Sequence, residues 1–290
     1  MKRKFAFFIA ALILVFPVLV DSAGAYAWSS EENGEASISG SYYHGIGQYG
    51  TNTLLLGVNC VVLQDATATG SMYVYGRATS SGYVTGYIYW YQKGNLARGG
   101  EGDFSTYLHV KFQAFDITAN VLANEKLVID EHDVYTDEGT WRDDSMDYIP
   151  LFDGHYYKFS LWAEVYAHAS GLGAAIADFG GIYTYPDSKI QWGEINIPNT
   201  VPAHALSISY YSTYPPSREG TTDPALGTHV YEEGTAVSVQ AIPNAGYVLS
   251  YWLLDGTLYW NNPIVVTMNA HHSLQVYFRP IGGGGSGHKK

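Results

Sequence analysis

A single cysteine, Cys60, stands in a chain of 290 residues, so no intramolecular disulfide can form. A secreted chain of this kind must hold itself together by core size and strand pairing. Cys60 sits in the apolar run "LLLGVNCVVL" and reads as a small buried hydrophobe rather than a reactive thiol. Basic residues are also scarce, 15 against 27 acidic ones, for a formal charge of −12. Such a surface repels nucleic acid and anionic headgroups and favours cations. No Asn-x-Ser/Thr triplet occurs, which removes N-linked sugar. His-Glu-x-x-His, a Gly-x-Ser-x-Gly elbow and a P-loop are missing as well, and with them the simplest grounds for a metalloprotease, a serine hydrolase or a nucleotide enzyme. No long stretch repeats every 3.6 residues, so a helical bundle is not expected.

Long apolar runs are absent except near the start. Lys2, Arg3 and Lys4 precede the run Phe5 to Val20, and Ala23-Gly24-Ala25 or Ala25-Tyr26-Ala27 follows it. That order of basic, apolar and small residues is a secretory signal peptide, expected over residues 1–25. The run contains Pro17 and is shorter than the roughly 20 apolar residues a spanning helix needs. The mature chain is therefore expected outside the cell or at its surface, with no transmembrane segment.

What is abundant is tyrosine, with 26 copies among Gly-rich turns and runs of Val, Ile, Thr and Phe. Alternation at period two marks antiparallel strands, and the expected fold class is all-β. Residues 28–198 read as one domain of roughly eight strands, a jelly-roll-like β-sandwich with the texture of a secreted protein. In "HYYKFSLWAEVYAHA", Tyr157, Phe159, Leu161, Ala163, Val165 and Ala167 fall on the core side, while Lys158, Ser160, Glu164 and His168 fall on the outer one. Two prolines in "NIPNTVPAHA" hold the chain extended, which places a short connector at 199–202. A second domain is expected over 203–279. The Gly-rich remainder, 280–290, cannot bury a core and is expected to be mobile.

The second domain turns at Glu233-Gly234, at Pro243 to Gly246 and at Asp255-Gly256, and brings Tyr247 and Trp252 to a small core. Together with Gly220, Pro224, Gly227, Tyr231, Val237, Val239, Ala241, Pro263, Val266, Met268, His272, Leu274 and Phe278, this segment closely resembles the divergent internalin-type B repeat of bacterial and archaeal surface proteins. The resemblance implies a small β-grasp-like module that spaces or presents other domains. There is one copy rather than an array, which fits a terminal docking module better than a long stalk. Every matched residue has a packing or turn role, and none is catalytic.

Two features offer binding chemistry. The stretch "DEHDVYTDEGTWRDDSMD" reads as an acidic loop, in which Asp130, Asp133, Asp137, Asp143, Asp144 and Asp147 are candidate calcium ligands, since that ion takes about six to eight oxygens. The spacing does not follow the EF-hand loop, and plain solvation is the alternative. In "YVTGYIYWY", Val84, Ile88 and Trp90 point to the core, so Tyr83, Tyr87, Tyr89 and Tyr91 form an outward ladder suited to a sugar or a protein partner. Cross-strand pairing alone also explains such a ladder. The expected function is non-catalytic: adhesion, or a structural component of the envelope, contacting a cell-surface protein or polysaccharide or adding strands to further copies. No cofactor is expected apart from calcium. The alternatives are a carbohydrate-binding module and, with two carboxylates converging in a cleft, a glycosidase or lyase acting on polysaccharide.

Overall fold

The computed structural model describes residues 27–29, 34–41, 44–50, 53–61, 64–133, 135–170, 172–179, 187–211 and 219–281. The expected signal peptide, nearly all of the Gly-rich tail and the side chain of Cys60 lie outside the described residues. The described residues are strands and turns with no helix, so the chain is all-β. None of them forms a helix long and apolar enough to cross a membrane. The chain divides into two compact units, Met1–Val74 with Ser80–Asn199, and Tyr75–Thr79 with Thr200–Lys290.

The first unit carries, in chain order, β1 (Ala27–Ser29), β2 (Gly34–Ser41), β3 (His44–Gly50), β4 (Thr53–Val61), β5 (Gln64–Ala78), β6 (Gly82–Glu101), β7 (Phe104–Asp116), β8 (Val121–His132), β9 (Tyr135–Leu151), β10 (Tyr156–Ala169), β11 (Leu172–Phe179) and β12 (Lys189–Asn196). The end of β5, from Tyr75, clusters with the second unit. One sheet runs β1-β3-β4-β11-β6-β12, with β9 also paired to β6; the other runs β2-β5-β10-β7-β8. β10 packs across β4 and β11, closing a two-sheet sandwich.

Period two builds its core. On β7, Phe104, Leu108, Val110, Phe112 and Ala114 are buried, and on β10 so are Tyr157, Phe159, Leu161, Ala163, Val165 and Ala167, as their alternation requires. Ser160, read as outward, is buried as well. Ala174, Ala175 and Ala177 leave little side-chain bulk on β11, which is buried over its whole described length. At Gly94 on β6, a Cβ would overlap the Phe179 ring and the carbonyl oxygen of Asp178, so the two strands meet there only because no side chain intervenes.

The stretch read as an acidic loop is not a loop. It is the end of β8, a turn at Asp133 and most of β9. Asp and Glu have low strand propensity, yet β9 pairs along most of β6 and anchors inward through Met146, Ile149 and Leu151, and that burial decides the conformation.

The second unit holds β13 (Thr200–Tyr210), β14 (Gly220–Asp223), β15 (Gly227–Glu232), β16 (Ala236–Pro243), β17 (Tyr247–Leu254), β18 (Thr257–Tyr259), β19 (Ile264–Thr267) and β20 (His272–Pro280). Of the residues expected as a connector at 199–202, Thr200, Val201 and Pro202 begin β13 and pair with Ala78, Arg77 and Gly76. β13 also pairs in parallel with β20 and antiparallel with β15, a mixed sheet that no helix crosses among the described residues. Leu206, Ile208, Val237, Val239, Trp252, Ile264, Val266, Leu274, Val276 and Phe278 form the core. The β17–β18 hairpin turns on Asp255 (φ 49°) and Gly256 (φ 80°), the two positive angles of a type I′ turn. The Asp255 carboxylate then accepts the Ser273 N–H at 2.8 Å and meets His272 Nδ1 at 2.6 Å.

His271 Nδ1 accepts the Ala205 N–H at 2.7 Å, and its ring lies edge-on to Tyr75 and His204. Burial first, then the neighbouring His204 and His272, push this imidazole down to about 4, and burial lowers His204 too. Two predictions follow from these packings. The unfolded chain binds more protons at these histidines than the folded one, so the second unit keeps its full stability above about pH 6.5. That stability falls as pH drops toward about 4. Thermal melts from about pH 7.5 to about pH 5 should show that unit's transition moving down, with a flatter profile in His271→Gln; a transition that does not move overturns the assignment. In the first unit, Gly94→Ala should lower the urea midpoint by about 1–3 kcal/mol of stability, and an unchanged midpoint would mean that the strands can part at that point.

Candidate functional site

β6 alternates cleanly over Gly86 to Tyr91, while Val84, read as inward, is half-buried. Ile88 and Trp90 are fully inside, while Tyr83, Tyr87 and Tyr89 are exposed to 75%, 54% and 40% and Tyr91 is half-buried on the same outer face. The register shifts between β6 and β9 put extra residues on β9, opposite Val84–Gly86 and Gln92–Gly94, so the β6 period is undisturbed. The β9 residues at these irregularities take unusual angles: Tyr148 has φ 59° and Gly139 φ 117°. Tyr148 is thereby turned outward, 77% exposed, and the Tyr91 hydroxyl rests over Gly139 where a side chain would overlap it.

Trp141, 46% exposed, stands opposite Tyr91 in the register. Its ring stacks on Tyr89 at 4.7 Å and 12° and tilts against Tyr91 at 5.3 Å. Direct and diagonal neighbours on one sheet face meet in this way. Lys189 Nζ lies 5.7 Å from the Tyr91 ring centre. Polar groups flank the row: Asp143 and Ser145 of β9 lie opposite Tyr89 and Tyr87, and Gln191 and Asn196 of β12 lie opposite Tyr91 and Tyr87. Reading the sequence missed Trp141, which falls in the stretch taken for an acidic loop, and Tyr148, which directly follows it. A period-two reading of "TWRDDSMDYI" would have set Trp141, Asp143 and Ser145 on one face.

The six aspartates are spread along two strands and the turn between them. Asp130 lies between His109 (3.0 Å) and His132 (2.8 Å), and Asp133 pairs with Arg98 at 3.1 Å. Asp144 points inward and accepts the Trp90 indole N–H at 2.9 Å, while Asp147 accepts the Thr85 hydroxyl at 2.8 Å. Asp143 is exposed on the aromatic face, and the side chain of Asp137 lies outside the described residues. Among the described residues no three of the six converge; the one grouping with metal-ligand spacing is His109, Asp130 and His132. Glu164, on the outer face of β10, accepts the Tyr107 hydroxyl at 2.7 Å. Burial first, then Glu164, hold that hydroxyl above its ordinary value.

Fold and surface thus define an all-β chain with an open aromatic sheet face. Residues 210–282 match the family of divergent InlB B-repeat domains, in agreement with the resemblance read over 203–279. Among curated proteins no relative matches. Solved structures similar in part include TmCBM61 in complex with beta-1,4-galactotriose, at 12% identity and TM-score 0.18, covering 49% of this chain and 83% of that one. The enzymatically active domain of tailspike protein 4 from bacteriophage CBA120 is similar at 9% identity and TM-score 0.21, over 56% of this chain and 19% of that one. The adhesin domain of Epf from Streptococcus pyogenes is similar at 9% identity and TM-score 0.23, over 75% and 68%. Superpositions this loose decide nothing about function.

Asp144 is a structural acceptor. Asp144→Ala strands the Trp90 indole N–H in the core and should cost about 1–3 kcal/mol in chelator-treated protein. Equal urea midpoints for the variant and the parent would show that the carboxylate does not support Trp90.

Proposed function

We propose that this is a non-catalytic adhesive protein of the cell exterior, which holds polysaccharide against the aromatic face of β6 and β9. One observation carries the reading: Tyr83, Tyr87, Tyr89, Trp141 and Tyr148 are all open to solvent on one strand pair. Leaving that much apolar surface wet is unfavourable, and a cluster of exposed aromatic side chains on one sheet face marks a contact surface. The rings offer flat apolar area to the C–H faces of sugars, and their hydroxyls, with Asp143, Ser145 and Asn196, offer hydrogen bonds to sugar edges. Net negative charge disfavours acidic polysaccharides, so a neutral glycan fits best.

The B-repeat module would present this unit at a surface, as a domain of that family placed beside a binding domain. The mechanism is contact without turnover and needs no cofactor. Addition of strands from further copies has weaker support. β8, the edge of the second sheet, is broken by register shifts at Val110–Lys111 and Ala114–Phe115, and Lys126 Nζ donates to the Ser145 carbonyl at 2.6 Å. Bulges and lysines blunt an edge against pairing.

The test is a glycan array with neutral polysaccharides, followed by calorimetry on the best binder. Trp141→Ala and Tyr89→Ala should each weaken binding about tenfold or more, about 1.4 kcal/mol. Absence of saturable glycan binding by the parent protein, or variants that bind as well as it does, would overturn the proposal.

A further inference from the structure

The outer face of the other sheet carries chemistry that the aromatic row does not use. β7 and β8 pair so that His109 faces Asp130 and Tyr107 faces His132, and Asp130 and His132, two apart on β8, share one face. Both imidazole Nε2 atoms come to the same oxygen, Asp130 Oδ1, at 3.0 Å and 2.8 Å. The three ligand atoms all lie within 4.8 Å of one another. A tetrahedral metal with bonds near 2.1 Å sets its ligands about 3.4 Å apart, so small side-chain rotations bring these three onto one ion.

The ligands are also held in place. The His109 ring stacks on Tyr107 at 4.3 Å and 16°, and Tyr107 stacks on Tyr166 at 4.8 Å and is tied to Glu164. The β8 end is pinned where the Asp133 N–H donates to the Thr106 carbonyl at 2.8 Å and the Thr106 hydroxyl donates to the Asp133 carbonyl at 2.7 Å. Asp133, in turn, pairs with Arg98.

We propose that His109, Asp130 and His132 form a site for a divalent transition metal of the zinc class, with an open position toward solvent. Two imidazoles and one carboxylate suit zinc, cobalt, nickel or copper, whereas calcium takes oxygen ligands in greater number. Without metal, Asp130 accepts hydrogen bonds from both rings. With metal, each Nε2 lone pair turns to the ion and the ring proton moves to Nδ1. The site lies on a different sheet from the glycan-binding face and does not rest on that reading.

The test is calorimetric titration of the full chain with zinc and, separately, with calcium, backed by the visible spectrum of the cobalt form. Zinc should bind at one site with micromolar affinity, calcium should not bind at the same concentrations, and cobalt should show the intense bands of low coordination. His109→Gln and His132→Gln should each weaken zinc at least tenfold. Asp130→Asn, which keeps a hydrogen-bond acceptor for both rings, should do the same with an unchanged circular dichroism spectrum. His229→Gln, on β15, and Trp141→Ala should bind zinc as the parent does. No saturable zinc binding, or unweakened binding in all three ligand variants, would overturn the site, whatever the outcome with glycans.

Discussion

The first unit depends on the pairing of β6 with its neighbours. β6 is a 20-residue strand flanked by β9 on one edge and by β11 and β12 on the other, so most of its backbone donors and acceptors are used in ladders. Its inner face supplies Ile88 and Trp90 to the core, and its outer face supplies the tyrosines. The indole N–H of Trp90 finds the one partner that lets so large a polar-tipped ring be fully buried, the Asp144 carboxylate from the neighbouring strand. Because packing fixes the inner residues, the rows of tyrosines opposite them are fixed too. A one-residue slip of β6 would exchange the two faces, and burying four tyrosines while exposing Trp90 is the strongest argument against it.

Two irregularities of the site lie on β9, and a third lies on β12 between Trp192 and Glu194; those of β9 set exposed aromatic groups. The two extra residues of β9 let the strand follow β6 while its own side chains change phase, and each falls next to an exposed aromatic group, Tyr148 at one and Trp141 beyond the other. A left-handed angle at tyrosine is unfavourable and persists where the surrounding pairing over-determines it. The strand on either side of Tyr148, from Met146 to Leu151, is buried on its inner face, which supplies that constraint.

The fold class and most of the faces of β6 and β10 were legible in the sequence because alternation survives wherever one face of a strand is buried. The module at 210–282 was legible for another reason: its turn residues sit at fixed offsets, and Asp255-Gly256 forms the hairpin that this dipeptide specifies. The character of β8 and β9 was not legible. Their acidic residues mimic a solvated loop, and what makes them strands is pairing with distant segments, which local composition does not encode. The same blindness hid the approach of His109 to His132. These residues are separated by a turn, and only the register brings them to one oxygen.

The surplus of carboxylates has a structural consequence of its own. With few lysines and arginines available, the acidic groups are met largely by neutral or conditionally charged donors. Trp90 donates to Asp144, Thr85 to Asp147, Tyr107 to Glu164 and the Ser273 N–H to Asp255. Imidazoles meet Asp116, Asp130 and Asp255. Hydrogen bonds to an ionised acceptor are stronger than neutral ones and, unlike exposed ion pairs, do not depend on holding two long charged side chains together. The chain can therefore keep a strongly negative surface without scattering lysines across it, and along Tyr83 to Tyr89 the aromatic face of β6 and β9 stays open to an uncharged partner, with Lys93 and Lys189 paired in register beyond Tyr91.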